Sequence, residues 1–158
     1  MFAWFVGTAV LAVWYVFGDP AFDYRLLVVG SVLAELDGLA GGARVMHSVA
    51  FSVVVLFGVM AVTRRSTARR RLLLGLPIGT FLHLVFDGAW ANTTVFWWPF
   101  GGWSFHDAAL PPVARGWWSV VLEAIGVVMV IAIWRRAGLS DAGTRRHALR
   151  TGQLRLAG

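Results

Sequence analysis

The stretch "LLLGLPIGTFLHLVFDGAW", residues 72–90, decides the fold. A predominantly apolar run of this length is enough to cross the hydrocarbon core of a bilayer. Yet it carries His83 and Asp87, four positions apart and so one above the other on a helix face. An ionisable side chain inside a membrane span is costly, and as a rule it is paired, inward-facing and functional. The stretch therefore predicts a transmembrane helix and a polar site in the interior of a bundle.

The rest of the chain agrees. It has 158 residues, 58% hydrophobic and 14% charged, with no lysine. The charged share is well below the usual quarter of a soluble domain. That length suggests one domain. Four further apolar stretches fall at 2–17, 26–41, 47–63 and 117–134. The first two are short, so crossing requires tilt or local thinning of the bilayer. The expected fold is all-α, an integral membrane bundle of about five transmembrane helices within residues 1–134. Residues 135–158 form a basic cytoplasmic tail. Residues 1–17 lack a basic start and a small-residue cleavage pattern, so they read as a retained helix. The absence of cysteine excludes disulfides, thiolate catalysis and cysteine-based metal sites.

Orientation follows from arginine. "TRRSTARRR" at 63–71 holds five arginines, and the chain from Arg135 holds six more. Positive charge stays in the cytoplasm. Both segments are then inside, which places the N-terminus outside and the C-terminus inside. The connector "GDPAFDYR" at 18–25 would be inside, though one arginine faces two aspartates there. The tail reads as a topology anchor with a partly disordered end, or as a patch for anionic lipid headgroups. No recognition motif accompanies the charge, so nucleic acid is not an expected partner.

The long connection 91–116 is expected outside and is dense in aromatic residues. It reads as an interfacial belt, or as a lid over a lipid-facing site. "GLAGGARVM" at 38–46 reads as a flexible turn. "NTT" at 92–94 fits a glycosylation pattern that matters only in a secretory eukaryotic context.

Five of the eight acidic residues, Glu35, Asp37, Asp87, Asp107 and Glu123, are expected at or near the outer side. His47 and His83 are expected there too. Imidazole plus carboxylate suits zinc, manganese or iron, and bundle cores build such sites from several helices. Glu35 and Asp37 stand about 200° apart on an ideal helix. Either the helix unwinds before Gly38 or the two do different jobs, with Asp37 the inward one. The alternative for His83 and Asp87 is a hydrogen-bonded pair joining two helices. The loop pair His106–Asp107 reads as solvated, and His147 is given no role.

The order "LAELDG", "GGARVMHS", "GTFLHLVFDGAWANTTVFWWPF" resembles the YdjM-like bacterial inner-membrane proteins, a family of membrane-bound metal-dependent hydrolases. The resemblance covers about residues 26–100. It implies that Glu35 and Asp37 take two acidic places, and that His47 and Ser48 end a histidine box. His83 and Asp87 form the later H-x-x-x-D pair, and Trp98, Pro99 and Phe100 close the motif. Gly38 and Gly42 stand where the family carries histidine. That implies a reduced ligand set, a single metal, or a copy that keeps the fold without turnover. The implied location is the bacterial inner membrane, multi-pass.

The leading expectation is thus a metal-dependent hydrolase acting on a lipid or lipid-linked phosphate or ester at the extracytoplasmic side. A divalent metal, zinc first and manganese second, is held by Asp37, His47, His83 and Asp87. Glu35 or Glu123 serves as general base. Arg44 and Arg115 pair with a phosphate, and Trp98 in the aromatic loop meets the substrate. The second expectation is a non-enzymatic membrane protein, either a small carrier or a complex subunit, using the same groups for packing or ion binding. Such a protein would have to form a homo-oligomer or join a partner membrane protein. Gly75, Pro77 and Gly79 would suit a broken helix of the transporter kind, though no internal repeat accompanies them. A third is a structural partner with the basic tail as its handle.

Overall fold

The computed structural model describes residues 1–105, 109 and 111–155. His106 and Asp107 lie outside the described residues. The described chain is all-helical, with no strand. Its α-helices are α1 (Phe2–Phe17), α2 (Arg25–Leu33), α3 (Val49–Val62), α4 (Ala68–Phe86), α5 (Thr93–Phe96), α6 (Pro111–Ala114), α7 (Trp118–Arg136) and α8 (Ala142–Thr151). Among the described residues, α7 alone is long and apolar enough to cross a membrane, with 19 residues and a mean hydropathy of 1.8. Helices α1 and α3 are apolar but shorter, at 16 and 14 residues. Helix α4 also has 19 residues, but its first turn holds Arg69, Arg70 and Arg71.

The second apolar stretch departs from expectation. Its α-helix stops at Leu33, and Ala34–Ala40 continues as a 3₁₀ helix. Gly38 is a poor helix former. Gly41, at φ 89°, ends the segment and donates its N–H to the carbonyls of Asp37 and Gly38. The tighter winding changes which way each side chain points. Asp37 turns inward and is buried, while Leu36 and Leu39 remain exposed. A second 3₁₀ turn, Val45–His47, brings His47 in just before α3. Ser48 caps α3 by accepting the Phe51 N–H.

Close backbone approach holds the elements together. Gly30 of α2 lies against the Leu76 carbonyl of α4, and Gly79 lies against Leu27 and Ser31 of α2. A Cβ at either position would overlap that backbone. Small residues that let helices meet in this way are the usual device in membrane bundles. The expected break at Gly75, Pro77 and Gly79 is therefore absent: α4 runs continuously through Pro77. On the other side, Gly126 of α7 takes the backbone of Ala3 and Trp4. The core between these contacts contains Ala9, Val10, Val13, Tyr24, Leu27 and Ile133.

The basic tail carries α8 and several hydrogen bonds back to the body of the chain. Asp141 caps α8 by accepting the Thr144 N–H at 2.7 Å. Tyr24 donates its backbone N–H to the Gly152 carbonyl at 2.8 Å. Arg25 Nη1 donates to the Arg150 carbonyl at 3.1 Å, and Leu154 packs on the core. The tail thus folds back onto the connector between α1 and α2.

Candidate metal centre

Four segments converge near the end of α4. His83 lies in its last turn and Asp87 at its C-cap, with Gly88 in the left-handed conformation beyond. The 3₁₀ turn supplies His47, the 3₁₀ segment after α2 supplies Asp37, and the residue after α6 is Arg115. His47, His83 and Asp87 are each 1% exposed. Phe5 of α1 packs on the His83 ring with centroids 4.0 Å apart.

Each imidazole is oriented by a bond on its inner nitrogen. His47 Nδ1 donates to Asp37 Oδ2 at 3.0 Å. His83 Nδ1 donates to the Ser31 carbonyl at 2.7 Å, where only a donor fits. Asp37 Oδ2 also accepts the backbone N–H groups of Arg44 at 2.8 Å and Met46 at 3.0 Å. A carboxylate with three donors on it acts as the acceptor, so His47 carries its proton on Nδ1. With the proton on Nδ1, a neutral ring leaves its Nε2 lone pair free to bind a cation.

Those two Nε2 atoms face Asp87 Oδ2. The separations are 3.7 Å from His47 and 4.0 Å from His83, beyond hydrogen-bond length. All three atoms are buried and have no hydrogen-bond partner. Leaving buried polar atoms unpaired costs about 1–3 kcal/mol each. Three acceptors converge here, and a cation satisfies all of them at once. The ligand atoms lie within 4.8 Å of one another, and the group could hold a metal ion. With metal–ligand bonds of about 2.0–2.2 Å, atoms sharing one ion stand roughly 3–4 Å apart, so the His–Asp separations sit at the wide end of that range. The buried orphan atoms and the donor set both fit a divalent metal. The other oxygen, Asp87 Oδ1, accepts Arg115 Nη2 at 2.5 Å.

The expected site residues divide. His47, His83 and Asp87 meet. Asp37 stands behind His47 and outside that ligand group, as its orienting acceptor. Arg115 reaches the centre through Asp87. Arg44 contributes its backbone N–H to Asp37, while its exposed guanidinium lies 6.0 Å over the Phe105 ring. Glu35 turns away and accepts the Met1 amine at 3.0 Å. Glu123 accepts the N–H groups of Ala3 at 3.0 Å and Trp4 at 3.3 Å. It supplies acceptors to the open N-terminal turn of α1, where unpaired N–H groups need them. Trp98 packs among loop aromatics, against Trp103 and Phe105. Trp90, rather than Trp98, lines the cavity beside the centre, together with His47, Asp87 and Arg115. That cavity measures about 500 Å³. Sequence reasoning missed the Ser31 carbonyl, a backbone group that leaves no compositional signal.

No protein-family model, curated protein or solved structure matches the chain.

Proposed function

We propose that the chain is a multi-pass bacterial inner-membrane protein and a metal-dependent hydrolase. It acts on a lipid or lipid-linked phosphate or ester at the extracytoplasmic side. The observation that carries the reading is the convergence of three buried, unpartnered acceptors on one point. A set of two neutral imidazoles and one carboxylate with a further position open is the pattern of catalytic zinc, with manganese second. When bound, such an ion supplies Lewis acidity and a more acidic water.

The chain's own residues prepare that position. Asp37 and the Ser31 carbonyl hold the two imidazoles in the tautomer that leaves Nε2 free. Arg115 takes one oxygen of Asp87 and leaves the other to the cation. The three ligand atoms are themselves buried, which strengthens each electrostatic contact at that point. Glu35 and Glu123 are engaged elsewhere, so we assign neither a proton transfer. The membrane reading draws support from broad apolar exposure on α3 and α7. Val54, Phe57, Val120 and Val128 are each more than 60% exposed, which lipid tails would cover. The same His47, His83 and Asp87 carry the resemblance to YdjM-like proteins.

The test is elemental analysis of detergent-purified protein beside His83→Ala. About one zinc or manganese per chain, lost in the variant, is the expected result for a centre with one open position. A wild type that takes up no metal on reconstitution overturns the reading. A metal-loaded protein that cleaves neither phosphate nor carboxyl esters removes the hydrolase half and leaves an ion-binding membrane protein.

A further inference from the structure

The cavity beside the metal centre has a charged floor and apolar walls. His47, Asp87 and Arg115 form the floor, and Ala43, Trp90 and Val95 stand among the walls. Asp37 and Asp87 are negative there and Arg115 is positive. Glu35 cannot offset further charge, because it faces the Met1 amine. A divalent cation therefore leaves the floor with net positive charge and, among the described residues, no anion to balance it.

Arg115 carries a second mismatch. Its guanidinium has five N–H donors in a planar fork. Nη2 is spent on Asp87, Nε is buried without an acceptor, and the side chain remains 28% exposed beside the cavity. Among the described residues, Asp87 is the acceptor it is shown to have. A neutral carboxyl ester would neither balance the charge nor supply strong acceptors. A phosphate ester does both, since its anionic oxygens match the guanidinium fork.

We infer that the cavity binds the phosphoryl group of an amphiphile. Arg115 takes the phosphate oxygens on the edge that Asp87 leaves free, and the apolar body lies along Trp90 and Val95. The inference rests on the metal centre proposed above, which provides the excess positive charge, and it selects phosphate over carboxyl esters as the ligand class.

Calorimetry of detergent-purified, zinc-loaded protein tests this with three probes: inorganic phosphate, dihexanoyl phosphatidic acid and dihexanoylglycerol. Metal content is measured on every sample. Both phosphate probes bind, and the neutral glyceride binds at least about tenfold more weakly than phosphatidic acid, a difference of about 1.4 kcal/mol. Tighter binding of phosphatidic acid than of inorganic phosphate identifies a lipid headgroup as the source, and equal binding identifies free phosphate. Arg115→Lys keeps the charge but loses the fork, so it retains zinc and loses about tenfold in phosphate affinity. The inference is overturned if the zinc-loaded wild type binds the glyceride as tightly as phosphatidic acid, or binds neither phosphate probe. Unchanged phosphate affinity in a folded Arg115→Lys protein also overturns it. The wild-type comparison decides alone if that variant does not fold. Zinc and phosphate binding without turnover removes the hydrolase reading and leaves this inference standing. Failure to bind zinc removes both.

Discussion

His47 and His83 present the same nitrogen to the centre but are held by different kinds of acceptor, one a side chain and one a backbone carbonyl. Their dependence on mutation therefore differs. Asp37→Asn removes the charge that fixes the His47 tautomer, and zinc affinity should fall about 10–100-fold, read by titration against a competing chelator. Ser31→Ala leaves the carbonyl that holds His83 in place, so zinc affinity should be unchanged in the same titration. His83 and Asp87 were legible in the sequence because a fixed helical spacing puts them on one face. His47 was legible as an imidazole just before the next apolar helix. Asp37 was found but given the wrong post, since a metal ligand and the acceptor behind a ligand have the same composition. Glu123 was legible as a candidate but not in the place it takes, as acceptor at the start of α1. Its amide partners lie 120 and 119 positions away in sequence, and nothing local in helix α7 announces them.

Among the elements, α2 and α4 depend on the absence of side chains where they cross. Gly79→Ala should destabilise the protein by about 1–3 kcal/mol, because the added carbon meets backbone that cannot yield. A Cβ added at Gly58 of α3 would meet nothing within 4 Å. Gly58→Ala should stabilise by about 0.5–1 kcal/mol through reduced backbone freedom. Denaturant titration in detergent checks the pair. At the start of α8, the Thr144 amide holds the Asp141 carboxyl below the usual aspartate range. The cap on α8 is then fully effective above that ordinary range and is lost as pH falls through the depressed value. The protection of the Thr144 amide, its exchange rate relative to the unstructured rate at the same pH, should fall in that acid window, and Asp141→Ala should lack that protection at every pH. Helix positions were read well from hydrophobic runs, with α1 falling at the expected residues. The 3₁₀ segment at Ala34–Ala40 was legible only as one of two alternatives, an unwinding before Gly38, because the run stays apolar enough to look helical while Gly38 and Gly41 decide the winding.

For the whole molecule, the proposed orientation places the aromatic connection outside and the arginine-rich turns inside. The absence of cysteine makes this directly testable. Ser104→Cys should react with a membrane-impermeant maleimide added to intact cells, and Ser140→Cys should react only after lysis. The reverse pattern would invert the chain and remove the extracytoplasmic site. The inner end also shows how far charge alone informs a fold. Arginine count supplies only an expected orientation, whereas the return of the tail onto Tyr24 and Arg25 rests on hydrogen bonds that no charge pattern encodes.

The ion pair between Asp87 and Arg115 joins positions 28 apart, at the two ends of the aromatic connection. It is therefore a clasp as well as a piece of the centre. Closing a loop costs chain entropy, and here that cost is set against a contact made at a carboxylate of the candidate metal centre. The same arginine that orients Asp87 thus also ties the two ends of the connection together.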